Sequence, residues 1–303
     1  MKFEITILGC GSATPTLHHW PTSQLLNHYE QYFLLDCGEG AQLQLRRYNI
    51  KFQRINHIFI THLHGDHCLG LPGLISTMHL LGRTNDLHIY ANSALQEAIE
   101  LQLKVSHSRL RYKLVWHPLS YDGPEVILET KLLEVTSFPL NHKVPCCGFR
   151  FSEKPKQRNM IPSKIEKYNI PFVRIRQIKA GADYVLEDGR IIPNAELTLD
   201  PPAPKSYAFC TDTAFSEKTI EGVKGVDVLY HEATFLEQHR QRAYETFHST
   251  AEDAARVAKA AGAKKLVLGH YSARYNELSA FKLEASEIFN PVVLADEGLR
   301  IKI

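Results

Sequence analysis

The 303-residue sequence contains no apolar run approaching the roughly 20 residues that a membrane-spanning helix needs. Its first residues enter a strand pattern directly, with Glu4 inside it and no long apolar stretch of the signal-peptide kind. Charge of either sign is not in excess: 35 Lys and Arg face 33 Asp and Glu, for a formal net charge of +2. That excludes the global basic field of a general nucleic-acid coat, so any polyanion site must be a local patch. The six cysteines (10, 37, 68, 146, 147, 210) have neither CxxC spacing nor small-domain density. They read as reduced thiols in a cytoplasmic chain with no membrane partner. Repeats, low-complexity tracts and linkers are also missing. The expectation is therefore one α/β domain over 1–303, long enough to bury a substantial core.

What is present is concentrated in one stretch. Ile58-Phe59-Ile60 reads as a buried strand, and Thr61-His62-Leu63-His64-Gly65-Asp66-His67 follows it. Alternate strand residues share a face, so His62 and His64 are expected to point the same way. Gly65 permits a tight turn that swings Asp66 and His67 back toward them. Imidazole and carboxylate suit zinc and related divalent metals. Four such groups in six residues exceed what one metal with an open position needs, which suggests two metals side by side. A lone strand histidine is usually a packed core residue, but three with an aspartate would be costly to desolvate unless something bound them.

Other strand-like segments end in similar groups: His142, Asp212 before Thr213, Glu232 and His270. In α/β folds, sites form where loops leave strand ends. His248-Ser249-Thr250 opens a helix over 251–261, with Thr250 as N-cap and Asp253 in a capping-box position. Strands are also expected at 3–8, 32–35, 87–91 and 206–210, a helix at 93–104 capped by Ser93, and a loop over 190–205. His79, His231 and His239 read as structural or surface residues. Residues 151–180 carry eight Lys or Arg, among them Lys154, Lys156 and Arg158, against Glu153 and Glu166. That stretch is either a solvated surface insertion, reaching to about 205, or a local contact for a phosphate backbone.

The Thr-His-Leu-His-Gly-Asp-His stretch, His142, Asp212 and His270 resemble the metallo-β-lactamase superfamily. Asp36-Cys37-Gly38-Glu39-Gly40, His231-Glu232-Ala233-Thr234-Phe235, His248-Ser249-Thr250 and Gly269-His270-Tyr271-Ser272-Ala273-Arg274-Tyr275 are similar to ribonuclease Z, the tRNA 3′-processing endonucleases. The resemblance spans Leu8 to Ile303. It implies a four-layer αββα sandwich holding two Zn2+, with Mn2+ or another divalent metal as an alternative. One ion falls to His62, His64 and His142, the other to Asp66, His67 and His270, with Asp212 bridging. It further implies a precursor-tRNA substrate, a homodimer built through the helix after the first motif, and a cut that leaves a 3′-hydroxyl on the tRNA. The family's Pro-x-Lys-x-Arg-Asn loop reads here Pro15-Thr16-Leu17-His18-His19-Trp20. The glycine- and proline-rich arm of the family is not recognisable.

Within that scheme Asp66 is the candidate base, His248 the candidate acid for the leaving oxygen, and Glu232 the group orienting His248. The rival readings are a small-substrate hydrolase of the same fold (phosphodiesterase, thioesterase or lactonase) and a non-enzymatic nucleic-acid-binding module. The long mRNA-processing and DNA-repair nucleases of the superfamily are excluded by spacing. They insert a domain between the bridging Asp and the last His, and 57 residues lie between Asp212 and His270 here.

Overall fold

The computed structural model describes residues 3–303. The main strands, in chain order, are β1 (Phe3–Gly9), β2 (Ser23–His28), β3 (Gln31–Leu35), β4 (Ile55–Phe59), β5 (Leu87–Ala91), β6 (Leu114–Pro118), β7 (Glu125–Glu129), β8 (Leu133–Pro139), β9 (Cys147–Glu153), β10 (Ser206–Cys210), β11 (Val228–Glu232), β12 (Leu266–Gly269), β13 (Val292–Leu294) and β14 (Arg300–Lys302). They form two seven-stranded sheets, ordered β14-β1-β2-β3-β4-β5-β6 and β13-β12-β11-β10-β9-β8-β7.

Aromatic side chains fill the space between the sheets. Phe59 meets Phe149 and Phe151 at 5.3 and 5.5 Å, and Phe33 meets Phe151 at 5.9 Å. On its other face the first sheet is covered by helices 41–47, 71–80 and 93–105, through Leu45, Leu74, Ile75, Met78, Leu95 and Ile99. Helix Ala251–Ala261 packs its alanine-rich face on β11 and β12. Both faces of the central strands are thus covered, which is why those strands read as apolar runs, whereas the edge strands β6 and β7 stay half-buried or exposed. β1 is buried at every position although its sequence alternates. This is the expected α/β sandwich.

The parallel strands position the site. β3 pairs with β4, and β10, β11 and β12 pair in series with Cys210 opposite His231 and Glu232 opposite Gly269. Matched register brings their C-terminal ends level, so Asp36, Asp212, Glu232 and His270 emerge along the same edges.

Several local expectations need correction. β4 stops at Phe59, so His62 and His64 lie beyond it and owe nothing to strand alternation. Gly65 opens a helical turn, Gly65–Cys68, rather than a reverse turn, and that turn presents Asp66 and His67. β2 lies in a stretch for which the sequence suggested no element; its polar Ser23, Gln24 and Asn27 hide it. Asn92, not Ser93, caps helix 93–105, accepting from the Ala94 amide. The Thr250–Asp253 capping box forms as expected. Residues 190–205 contain a helical turn, Asn194–Leu197, and short strands. All six cysteines are buried free thiols.

The chain gathers into two compact units. The larger comprises residues up to Glu129, Val135–Phe151 and Ser206–Ile303; the smaller comprises Thr130–Glu134 and Ser152–Lys205. The smaller unit has an apolar cluster of its own, Ile170, Ile178, Ile192 and Leu197, with helices Pro162–Lys167 and Phe172–Lys179.

Candidate metal centre

Seven side chains from the larger unit converge. His62 Nε2 lies 2.9 Å from His64 Nδ1, which lies 3.3 Å from His142 Nε2. Asp66 Oδ2 lies 3.3 Å from His67 Nε2 and 3.6 Å from His270 Nε2. Asp212 stands between the groups. Its Oδ1 is 3.1 Å from both His67 Nε2 and His270 Nε2, and its Oδ2 is 3.6 Å from His62 Nε2 and 3.7 Å from His142 Nε2. Donor atoms held about 2.0–2.1 Å from a tetrahedral ion stand about 3.3 Å apart. The two triads, each completed by one Asp212 oxygen, have that spacing.

The outward ring nitrogens explain why the inward ones face the cluster bare. His67 Nδ1–H donates to Asp36 Oδ2 at 2.7 Å. His62 Nδ1 meets Thr61 Oγ1 at 3.1 Å, and that hydroxyl in turn donates to Asp36. His142 Nδ1–H donates to the Phe247 carbonyl at 3.1 Å. His270 Nδ1 meets Thr234 Oγ1 at 2.9 Å, and Thr234 donates to Glu232 Oε2 at 2.6 Å. These acceptors leave a lone pair on each Nε2. Nε2 of His67 and of His270 is buried without a hydrogen-bond partner, each pointing at a carboxylate oxygen. A lone pair facing a carboxylate at 3.1 Å is repulsive unless a cation lies between them.

The electrostatics agree. Burial, with His67 nearby, pushes His62 down to about 2, and burial also lowers His142, so both rings are in the neutral form that ligates. Burial works the same way on His67, but Asp212, Asp36 and Asp66 outweigh it and raise that ring well above its ordinary value. The carboxylates around it demand positive charge. The donor set, its spacing and this charge fit a pair of divalent cations.

His248 sits beside the cluster with its side chain 15% exposed, and Nδ1–H donates to Glu232 Oε1 at 2.8 Å. Glu232 is fully buried and also accepts from the amides of Thr213, Thr234 and Ser249. Burial would strip the proton from His248; the Glu232 carboxylate outweighs this and raises the imidazole, while His248 in turn holds Glu232 low. His248 also comes within reach of Asp212 and His270 as a third donor group. A ring kept protonated by Glu232 is a poor ligand for a cation.

Sequence reasoning left out the supports. Asp36 holds two of the ring systems through His67 and Thr61, and the Ala13 amide donates to Asp66 Oδ2 at 2.7 Å. Among the described residues, nine that are not glycine have positive φ, and Ala13, Asp36, Phe247 and His270 are four of them. Such backbone clusters where a site over-determines it. The one available signal was Asp36 at a strand end. A backbone amide and a backbone carbonyl leave no trace in side-chain pattern. Of the basic residues singled out, Lys156 pairs with Glu153 at 3.0 Å and Arg158 pairs with Asp200. Lys154, Lys156 and Arg158 belong to the smaller unit. His231 is buried in β11, and His239 bonds the Tyr275 hydroxyl at 2.8 Å.

Five of the seven, His64, Asp66, His142, Asp212 and His270, line a cleft of about 550 Å³, walled in part by Ser12, Pro15, Pro21, Lys143 and Thr246, with His62 and His67 buried behind them. Two covered sheets with a two-cation donor set along their strand ends define a hydrolase of the metallo-β-lactamase superfamily. A model described as a β-lactamase superfamily domain matches residues 173–271, and one described as the anti-Pycsar protein Apyc1 matches residues 3–121. A ribonuclease Z of Bacteroides fragilis is 47% identical over 302 residues, covering 100% of this chain and 99% of its own. A ribonuclease Z of Parabacteroides distasonis is 47% identical, with 99% of each chain covered. The crystal structure of human tRNase Z, short form, aligns with a TM-score of 0.73 at 28% identity, over 99% of each chain. The chain belongs to the ribonuclease Z family.

Proposed function

We propose that the chain is a two-cation endoribonuclease that removes the 3′ trailer from precursor tRNA. Membership of the ribonuclease Z family supports the substrate and reaction. The observation that carries the mechanism is Asp212, whose two oxygens divide between His67/His270 and His62/His142. His62, His64 and His142 would hold one cation, Asp66, His67 and His270 the other, with Asp212 shared between the two groups. We take both ions as Zn2+, with Mn2+ as the alternative. Bound there, a divalent pair acidifies water and neutralises charge on a phosphodiester.

The chain's own groups do the rest. Asp66 takes the proton from the attacking water. His248, kept protonated by Glu232, gives a proton through its remaining ring nitrogen to the departing 3′-oxygen, so the tRNA keeps a 3′-hydroxyl and the trailer a 5′-phosphate. Lys143 on the cleft wall offers a charge for the neighbouring phosphate.

The smaller unit is read as an insertion in a single domain rather than a second domain, and its basic face as a contact for the RNA backbone. Lys156 and Arg158 are committed to Glu153 and Asp200, so exposed Arg174 and Arg176 on helix Phe172–Lys179 are the stronger candidates. Leu80 and Leu81 stay 82% and 52% exposed at the end of helix Leu71–Leu80, which supports a homodimer through that helix. No helix among the described residues is long and apolar enough to cross a membrane, and a cytoplasmic location fits the buried free thiols.

Cleavage of a precursor tRNA carrying a 3′ trailer, run beside bis(p-nitrophenyl) phosphate, tests the reading. Cleavage at the trailer junction supports it. Turnover of the small ester alone favours a small-substrate hydrolase.

A further inference from the structure

The loop between β1 and β2 is fastened at several points. Glu297, in the turn before β14, is nearly buried, with its side chain 6% exposed. Its Oε1 accepts from the Trp20 amide at 2.8 Å and the Cys10 amide at 3.4 Å, so one carboxylate ties both ends of the loop. Its Oε2 accepts from His19 Nδ1 at 3.0 Å. Thr16 Oγ1 accepts from the His19 amide at 2.8 Å, and the Gly11 amide donates to the Trp20 carbonyl at 2.9 Å. Gly40, at φ +80°, leaves room for the Trp20 ring; a Cβ there would come within 2.1 Å of it. Between the fastened ends stands Ala13 with φ +58°, a conformation costly for alanine, and its amide reaches Asp66 Oδ2.

We propose that His19 and Glu297 are positioning residues for Asp66: their pairing holds the 10–21 loop so that the Ala13 N–H aims Asp66 Oδ2 at His67 and His270. This rests on the two-cation reading above. A carboxylate that must face two ring nitrogens within about 3.6 Å needs its rotation fixed, and the Ala13 amide is the group outside the ligand set that fixes it. His62, His64 and His142 make no contact with this loop in the hydrogen bonds described, so the pairing acts on one cation position and not the other. The same loop supplies Ser12, Ala13, Pro15 and Pro21 to the cleft wall.

The test uses the full chain, stripped of metal and titrated with Zn2+ against a chromophoric chelator, alongside steady-state kinetics on bis(p-nitrophenyl) phosphate. His19→Ala is expected to weaken one of the two Zn2+ steps by about tenfold, the scale for outer partners of metal ligands. The other step stays in place, and kcat falls with KM unchanged. His19→Asn restores most of both losses, because its amide N–H takes the place of Nδ1–H on Glu297. The proposal is overturned if His19→Ala leaves both steps unchanged, or if His19→Asn behaves like His19→Ala. It is also overturned if the unsubstituted chain takes a third Zn2+ that His19→Ala loses, since Cys10, His19 and Glu297 would then be a metal site. An unsubstituted chain that binds fewer than two Zn2+ defeats the two-cation reading instead, a separate result.

Discussion

The two halves of the centre are supported differently. The Asp66/His67/His270 half is braced by charge: Asp36 behind His67, Glu232 through Thr234 behind His270, and the Ala13 amide on Asp66. The His62/His64/His142 half meets charge only at one remove, through the Thr61 hydroxyl that joins His62 to Asp36, and its His142 is held by the Phe247 carbonyl. A carboxylate behind an imidazole raises its basicity and fixes its orientation, whereas a carbonyl mainly orients it. The comparison teaches that the centre is asymmetric before any ion binds. The Asp66/His67/His270 half is therefore expected to be the tighter position, and the His62/His64/His142 half the one that empties first.

Asp212→Ala is expected to have the largest effect, because that residue serves both halves. Elemental analysis should find both ions lost and cleavage at background; retention of one ion would show that the halves are independent. His248→Ala comes next, with kcat lower by roughly 10²–10⁴-fold, the range for a missing proton donor, and metal content intact. If metal falls together with activity, His248 is a ligand or a structural residue. Asp36→Asn sharpens the comparison, since that carboxylate touches His67 directly and reaches His62 only through Thr61. One Zn2+ affinity should fall by about 10–100-fold in a chelator titration, and an equal fall in both would erase the asymmetry. Thr61→Val, which cuts the relay from Asp36 to His62, should cost less than about tenfold in affinity.

The candidate ligands were legible in the sequence because the chain concentrates them: His62, His64, Asp66 and His67 lie within six positions, and the rest follow apolar runs. Their reason for converging was not legible. His62 and His64 meet by leaving the strand, not by alternating along it, and Asp66 arrives on a helical turn. The covered sheets could be read from uninterrupted runs such as Val228 to Tyr230. β2 could not, since its polar side chains face buried partners that only the fold supplies, as Gln24 does with the Tyr207 hydroxyl. The order within the smaller unit was hidden too. Its apolar residues are spread thinly among lysines, arginines and prolines, and they meet only after folding. Ala13 and Phe247 act through the main chain, which the residue types do not encode.

The most direct measurement is to strip the chain with chelator, restore Zn2+ in known equivalents, and follow cleavage of precursor tRNA and bound zinc on the same preparation. The account predicts little activity at the first equivalent and recovery as the second site fills. Full activity at one equivalent per chain, or undiminished cleavage in the stripped enzyme, would contradict it.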